Sequence, residues 1–307
     1  MTGVVLRPGS TGRRLAELLK PVMIGASTLG ERPGADVLAR AMVSSTVGQV
    51  DTSNNYAAGK SERYLGRALC EGSVESTFIN SKADADPVTG RFDYSRVMRS
   101  FEESCERLGC AYLPMYFLHD PDESAFADTM RPGGAVEALT ELRSEGIVGA
   151  IGIAAGGLKM VEAYVETDVF DAVLNHNRWT MIDRSADELW SKAHARQMAI
   201  FNAAPFGGGI LAGSTTRGSS YGYRPASNDV LTYVGSLHSL AKEHSVDLAA
   251  AALQWAGRDE RVDTVIVGVS STQRLDQLEE LQRSRVPVEF WDDVDRLGTP
   301  PLTGLDA

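Results

Sequence analysis

Asp51, Tyr56, Lys82 and His119 bring an acid, a phenol, an amine and an imidazole to the ends of short apolar runs or just beyond them. Asp51 and Tyr56 lie in VDTSNNYAAGKSERYLG, Lys82 closes TFINSK, and His119 closes PMYFLH before Asp120. A phenol, with an unperturbed pKa of about 10, is a poor proton donor or acceptor at neutral pH. A nearby ammonium favours the phenolate and lowers that pKa, and a carboxylate can orient the ammonium. A phenol so tuned can exchange a proton with a carbonyl or an alcohol while a hydride moves on the other side. Each residue alone has a plainer use: Asp51 as a loop cap, Tyr56 as a half-buried aromatic, Lys82 as a solvated strand end, His119 as a satisfied core histidine. Four such groups in this order are better read as a convergent site.

The elements that must position them alternate along the chain. Short apolar runs (PVMIG, VGQVD, TFINSK, PMYFLHD, VGAIGI, DAVLNH, MAIFNAAP and DTVIVG) suit strands buried on both faces. Between them lie helix-periodic segments: Ser61–Cys70, Tyr94–Leu108, Ala135–Arg143, Ala186–Arg196 and Thr272–Leu281. About eight strand-then-helix repeats, with no linker dividing the chain, predict an α/β fold: one (β/α)8 TIM barrel domain over residues 1–307. No GxGxxG follows the first run, which disfavours an open dinucleotide-binding sheet. The N-terminal MTGVVLRPGSTGRR reads as a short β-hairpin, and Gly207–Tyr223 as a long, mobile loop after strand seven. Two further helices are expected over Asn228–Lys242 and Asp247–Ala256. Barrel sites gather at the C-terminal strand ends, so Asp51, Lys82 and His119 after strands two, three and four, and Tyr56 just beyond, share one mouth.

Composition narrows the partners. A net charge of −11 argues against nucleic-acid backbones and acidic membranes. No apolar stretch approaches the roughly 20 residues that cross a bilayer. Three cysteines make no disulfide scaffold, and a reduced cytoplasmic protein is the simple expectation. The five histidines form no compact metal-ligand motif, and no GxSxG elbow marks a serine hydrolase. A glycosidase-like carboxylate pair would leave Tyr56 and Lys82 idle.

The motifs DTSNNYAAGKSERYLGRAL, Lys82 after a short strand, the LHD of His119, NAAPFGGGIL and VIVGVSSTQRLDQLEEL together resemble the aldo-keto reductase family, over most of the chain. NRWTMIDR followed by ELW is most like the branch containing D-threo-aldose (L-fucose) and pyridoxal dehydrogenases. The resemblance implies an NAD(P)-dependent oxidoreductase that interconverts an aldose, aldehyde or ketone with an alcohol. Tyr56 would be the general acid or base, Lys82 would lower its pKa, Asp51 would pair with Lys82, and His119 would orient the carbonyl. It implies cofactor contacts at Gly25, Ser27, Asn175, Pro205, Phe206, Gly207, Gly209, Leu211, Gly268, Ser270, Ser271, Arg274 and Gln277. A substrate mouth is expected at Asn55, His176, Arg178 and Trp179, with Trp179 either an aromatic wall or a rim packing residue. Three departures stand out: Gly268 where many NADP-dependent relatives carry lysine, Ala154 and Ala155 for a Ser-Asn pair, and Ala203 and Ala204 where an aromatic is common. The first favours NAD slightly over NADP. Another class of function, a nicotinamide-binding regulatory subunit with little turnover, keeps the same motifs.

Overall fold

The apolar runs lie as parallel strands whose side chains are buried on both faces. In the computed structural model, which describes residues 12–71, 77–213 and 219–305, the strands β1 (Val22–Gly25), β2 (Gln49–Asp51), β3 (Phe78–Ala83), β4 (Met115–His119), β5 (Ile151–Ala154), β6 (Ala172–His176) and β7 (Ala199–Ala203) follow in chain order. An antiparallel ribbon of β8 (Ser220–Tyr221) and β9 (Arg224–Pro225) precedes β10 (Thr264–Gly268). The eight strands other than the ribbon close a barrel in the order β1-β10-β7-β6-β5-β4-β3-β2. The expected (β/α)8 architecture is therefore the observed one.

Helices occupy the outside. They are α1 (Gly12–Ala16), α2 (Ala35–Ser44), α3 (Lys60–Glu71), α4 (Tyr94–Leu108), α5 (Phe126–Met130) and α6 (Ala135–Ser144). The second half supplies α7 (Leu158–Val165), α8 (Asp187–Ala195), α9 (Asn228–Glu243), α10 (Leu248–Gly257), α11 (Thr272–Arg283) and α12 (Val288–Arg296). The two extra helices expected after strand seven are α9 and α10. None of the described helices is long and apolar enough to cross a membrane.

Two apolar layers hold this arrangement. Met23, Phe78, Met115, Phe117, Leu174, Phe201 and Ile266 fill the barrel interior, and a larger core separates strands from helices. The interior needs Gly152: a Cβ there would lie 2.5 Å from Met115 Cε and 2.6 Å from the Phe117 ring. The N-terminal expectation needs correction. Residues 12–14 of the expected hairpin belong to α1, and the remainder of that segment lies outside the described residues. The short helix turns Leu15 into the barrel-interior cluster, against which Ala16 and, just beyond the helix, Leu19 also pack. The loop after β7 begins with a tight 3-10 turn, Gly207–Ala212, and the part expected to be mobile at residues 214–218 is outside the described residues.

Helix α4 matters most for the site. Its Asp93 side chain caps the first turn by accepting from Arg96 N, and left-handed Gly109 ends it. It approaches α3 so closely that a Cβ on Gly66 would lie 2.0 Å from the Arg107 carbonyl oxygen. Backbone cannot yield as a flexible side chain can. Gly66→Ala is therefore expected to cost about 1–3 kcal/mol or more of stability, read as a lower urea midpoint; an unchanged midpoint would mean the two helices part freely.

Candidate active site

Strand register sets the first contacts. Asp51 of β2 pairs with Asn80 of β3, and Lys82 lies two residues on, so both point from neighbouring strands on the same face. Lys82 Nζ lies 2.7 Å from Asp51 Oδ1 and 2.8 Å from Oδ2, and also donates to the Thr52 carbonyl at 2.8 Å. Asn80 Nδ2 donates to Asp51 at 2.6 Å. The ammonium's remaining donor reaches the Tyr56 hydroxyl at 3.1 Å. Lys82 is 1% exposed and Asp51 4%, so the pair is held out of water. Burial alone would lower the lysine's pKa, but Asp51 and Tyr56 overturn that effect and hold it charged.

Tyr56 stands in a turn whose next residues, Ala57, Ala58 and Gly59, all take left-handed backbone conformations. Two non-glycine residues in that region are strained, and such strain persists only where the surroundings enforce it. The expected net fall in the phenol's pKa is not what these surroundings give. Burial raises it most; Lys82 pulls it down, while Asp51 and Asp84 push it up. The balance lies above the ordinary phenol value, so the hydroxyl carries its proton at neutral pH.

His119, at the end of β4, meets the Tyr56 ring edge-to-face at 5.6 Å between centroids. Its Nδ1 lies 2.6 Å from Asp84 Oδ1 and 3.2 Å from Ser53 Oγ. The four residues expected to converge do so. Asp84, at the end of β3, is the neighbour that sequence reasoning missed.

A polar frame behind the mouth was missed as well. Arg96 Nη2 donates to Asn54 Oδ1, and its Nε donates to the Asp84 carbonyl, each at 2.8 Å. Arg107 donates to the Asn54 carbonyl at 2.8 Å and pairs with Glu62 at 3.2 Å; Glu62 also accepts from Ser81 at 2.6 Å. Arg96 of α4 thus ties the loop bearing Tyr56 to the loop bearing Asp84, and Arg107 ties the same Tyr56 loop to α3. A signal was present in the sequence: four charged residues, Glu62, Arg96, Glu103 and Arg107, on faces that helical periodicity otherwise turns toward the barrel.

The expected substrate residues divide. His176 ends β6 and is crowded against Gly156, where a Cβ would lie 2.8 Å from the imidazole. Burial lowers its pKa most; Asp120 opposes that, while His119, Arg178 and Lys82 add to it, and the balance lies below the ordinary imidazole value, so the ring is neutral. Arg178 Nε donates to the Gly156 carbonyl at 3.3 Å, and Asn55 Nδ2 to the Ala85 carbonyl at 3.3 Å. Trp179 is not a mouth residue. It is 8% exposed, lies 5.5 Å from the Trp255 ring of α10, and carries the Arg261 guanidinium over it. A large apolar ring gains more from that layer than from the wet mouth.

The residues present fit a nicotinamide dinucleotide. Asn175 Nδ2 donates to the Ala155 carbonyl at 2.8 Å, yet its buried Oδ1 has no partner among the described residues. Such an acceptor suits a carboxamide NH2, in place of the absent Ser-Asn pair. Pro205 and Phe206 lead into Gly207, Gly208 and Gly209, all at positive φ. Gly207 has a plainer reason for being glycine, since a Cβ would strike the Tyr221 ring at 2.4 Å; a Cβ on Gly208 would meet only Gly222 N at 3.9 Å, which leaves room for a close approach. Leu211 is wholly buried, so its side chain offers no contact at the surface. Gly25 and Gly268 pair across β1 and β10, and Ser27 is exposed beyond them. Ser271 caps α11 by accepting from Arg274 N at 3.2 Å, and Arg274 donates to Gln277 at 3.1 Å on an exposed face. A cavity of about 320 Å³ separates Ser270 and Ser271 from Thr28 and Arg32, with none of the four central residues in its wall. Amides at a helix N-terminus beside such a space suit a phosphate.

The Aldo/keto reductase family profile matches residues 21–298. Pyridoxal 4-dehydrogenase from Microbacterium luteolum is 28% identical over 87% of this chain and 91% of that protein. D-threo-aldose 1-dehydrogenase from a Pseudomonas species is 25% identical over 80% of this chain and 82% of its own. The holo form of an aldo-keto reductase from Bacillus halodurans superposes with a TM-score of 0.75 at 17% identity, covering 94% of this chain and 95% of that one. A barrel with matching fold, and a family profile that runs from the first strand to the last helix, make this chain an oxidoreductase that belongs to the aldo/keto reductase family.

Proposed function

We propose that the protein interconverts a carbonyl and an alcohol with NAD or NADP, and that Tyr56 is its general acid and base. The observation that carries this is the Asp51–Lys82–Tyr56 chain, with the ammonium 2.7 Å from the carboxylate and 3.1 Å from the phenol. In reduction the protonated phenol donates to the developing alkoxide, and donors aimed at that oxygen stabilise its charge. In oxidation the phenolate removes the alcohol proton, and Lys82 stabilises that anion. A bound nicotinamide ring would supply or accept the hydride. Asn175 would hold its carboxamide, the Pro205–Gly209 turn and Gly25 would lie along the dinucleotide, and Ser270, Ser271, Arg274 and Gln277 would border the adenosine end.

We favour NAD over NADP. Gly268 offers no cation, and Arg274 is engaged with Gln277. Aldoses and aromatic aldehydes are the favoured substrates, because the named relatives act on pyridoxal and D-threo-aldoses, and the mouth offers His119, His176 and Asn55 to hydroxyl groups. A reducing cytoplasm suits the three unpaired cysteines. The test is a panel of sugars, aldehydes and alcohols, run with NAD and NADP separately and followed by absorbance of the reduced ring. Turnover with an aldose or aldehyde is expected; cofactor binding without turnover anywhere in the panel would favour a regulatory role instead.

A further inference from the structure

We propose that Asp84 is a positioning residue for the carbonyl–alcohol reaction: its buried carboxylate takes the Nδ1–H of His119, fixes the ring, and leaves Nε2–H as the donor to the reacting oxygen. This rests on the function proposed above. Asp84 is 7% exposed, and both its carboxylate oxygens are engaged. Its Oδ1 meets His119 Nδ1 at 2.6 Å, while Oδ2 accepts from Asn55 N at 2.9 Å and from the Ser53 hydroxyl. Its backbone is pinned too, with the carbonyl held by Arg96 Nε at 2.8 Å.

An imidazole has two nitrogens, and the partner of one decides what the other presents. An ionised carboxylate can only accept, so Nδ1 must carry a proton. The opposite nitrogen, Nε2, then faces away from Asp84; Asp120 Oδ2, half exposed, lies 3.5 Å from it. A neutral ring in this tautomer would present a lone pair at Nε2, which repels a carbonyl oxygen. A charged ring presents N–H, which stabilises an alkoxide. Burial alone would lower the imidazole's pKa, but the charge and hydrogen bond of Asp84 overcome it and carry His119 above its ordinary value. Asp120 pulls in the same direction and Lys82 opposes it. Asp122, on the same segment, and neutral His176, from β6, also interact electrostatically with the ring. Asp84 is the only one of these carboxylates in contact with it at hydrogen-bond distance.

Asp84 could instead serve only to close the loop after β2, through Asn55 and Ser53. The two roles separate in the titration of His119. The full chain labelled with ¹⁵N-histidine is followed by long-range ¹H–¹⁵N spectra, with His119 identified from the signals lost in His119→Gln. The expected result is a protonated Nδ1 at neutral pH and a ring that stays cationic above the ordinary imidazole range. In Asp84→Asn the midpoint should fall, because burial is no longer opposed. The limb on which carbonyl reduction fails with rising pH should move to lower pH with it, and kcat/KM should drop on the order of 10- to 100-fold. An Asp84→Asn protein in which His119 titrates where it did before would overturn the proposal. So would an unmodified protein whose Nδ1 carries no proton at neutral pH, a result that needs no variant to fold. The spectra are read without turnover. A protein that reduces no carbonyl in the panel therefore sinks the proposed function, whereas an unmoved titration sinks the role of Asp84 whatever the turnover.

Discussion

Tyr56→Phe should lower turnover by roughly 10²- to 10⁴-fold while cofactor affinity stays the same. The substitution removes one oxygen, and that oxygen is the end of the Asp51–Lys82–Tyr56 chain, 3.1 Å from the ammonium. The ring remains to pack edge-to-face against His119 at 5.6 Å, so the turn should hold its shape. What is lost is the proton that must reach the oxygen as hydride reaches carbon. Reduction and oxidation should fall together, because the same group serves both directions. Stopped-flow measurement of the hydride step with a good substrate, beside fluorescence titration of the cofactor, separates the two quantities. Undiminished turnover would remove Tyr56 from the reaction.

Lys82→Met should injure both stability and chemistry. Asp51 would keep a charge at a position 4% exposed, with Asn80 the only side-chain donor left to it among the described residues. Removing one partner of a buried ion pair costs about 3–5 kcal/mol, because the survivor is left uncompensated. The double replacement Asp51→Asn with Lys82→Met should therefore be more stable than Lys82→Met alone, measured by urea unfolding. A double variant no more stable than the single one would show that the pair is solvated after all. The chemistry has its own sign. Lys82 is the chief influence pulling the Tyr56 phenol down against burial. Without it the phenol's pKa rises further, and the limb of alcohol oxidation that needs phenolate moves to higher pH. An unchanged pH profile, in the regime where chemistry limits the rate, would deny Lys82 that part.

The barrel was legible in the sequence for a specific reason. Strands buried on both faces must be apolar throughout, and the runs ending at Asp51, Lys82 and His119 stop being apolar where the mouth begins. The convergence of those residues with Tyr56 followed from strand order alone. Other features depend on facts that a linear reading does not carry. Asp84 and Asp86 look alike in SKADAD, yet one meets His119 and the other accepts from Thr89 in a turn. Only the path of the chain beyond β3 distinguishes them. Arg96 falls on the inward face of α4, where a charge needs partners that the sequence does not name; it is 4% exposed, because Asn54 and Asp84 give its guanidinium those partners. Trp179 had two readings, and packing against Trp255 decided between them. The Tyr56 phenol was misjudged because a neighbouring cation is visible in sequence and the depth of burial is not.

One guanidinium, that of Arg96, grips Asn54 on one side and Asp84 on the other. The segment carrying the phenol and the segment steering the imidazole are therefore moored to a common post on α4. A small shift of that helix would carry proton donor and hydrogen-bond donor along together, preserving their mutual spacing while re-aiming both toward whatever lies between them. Divergence among relatives in the outer face of α4 would then retune where the reacting oxygen must sit, without dismantling the apparatus that handles it.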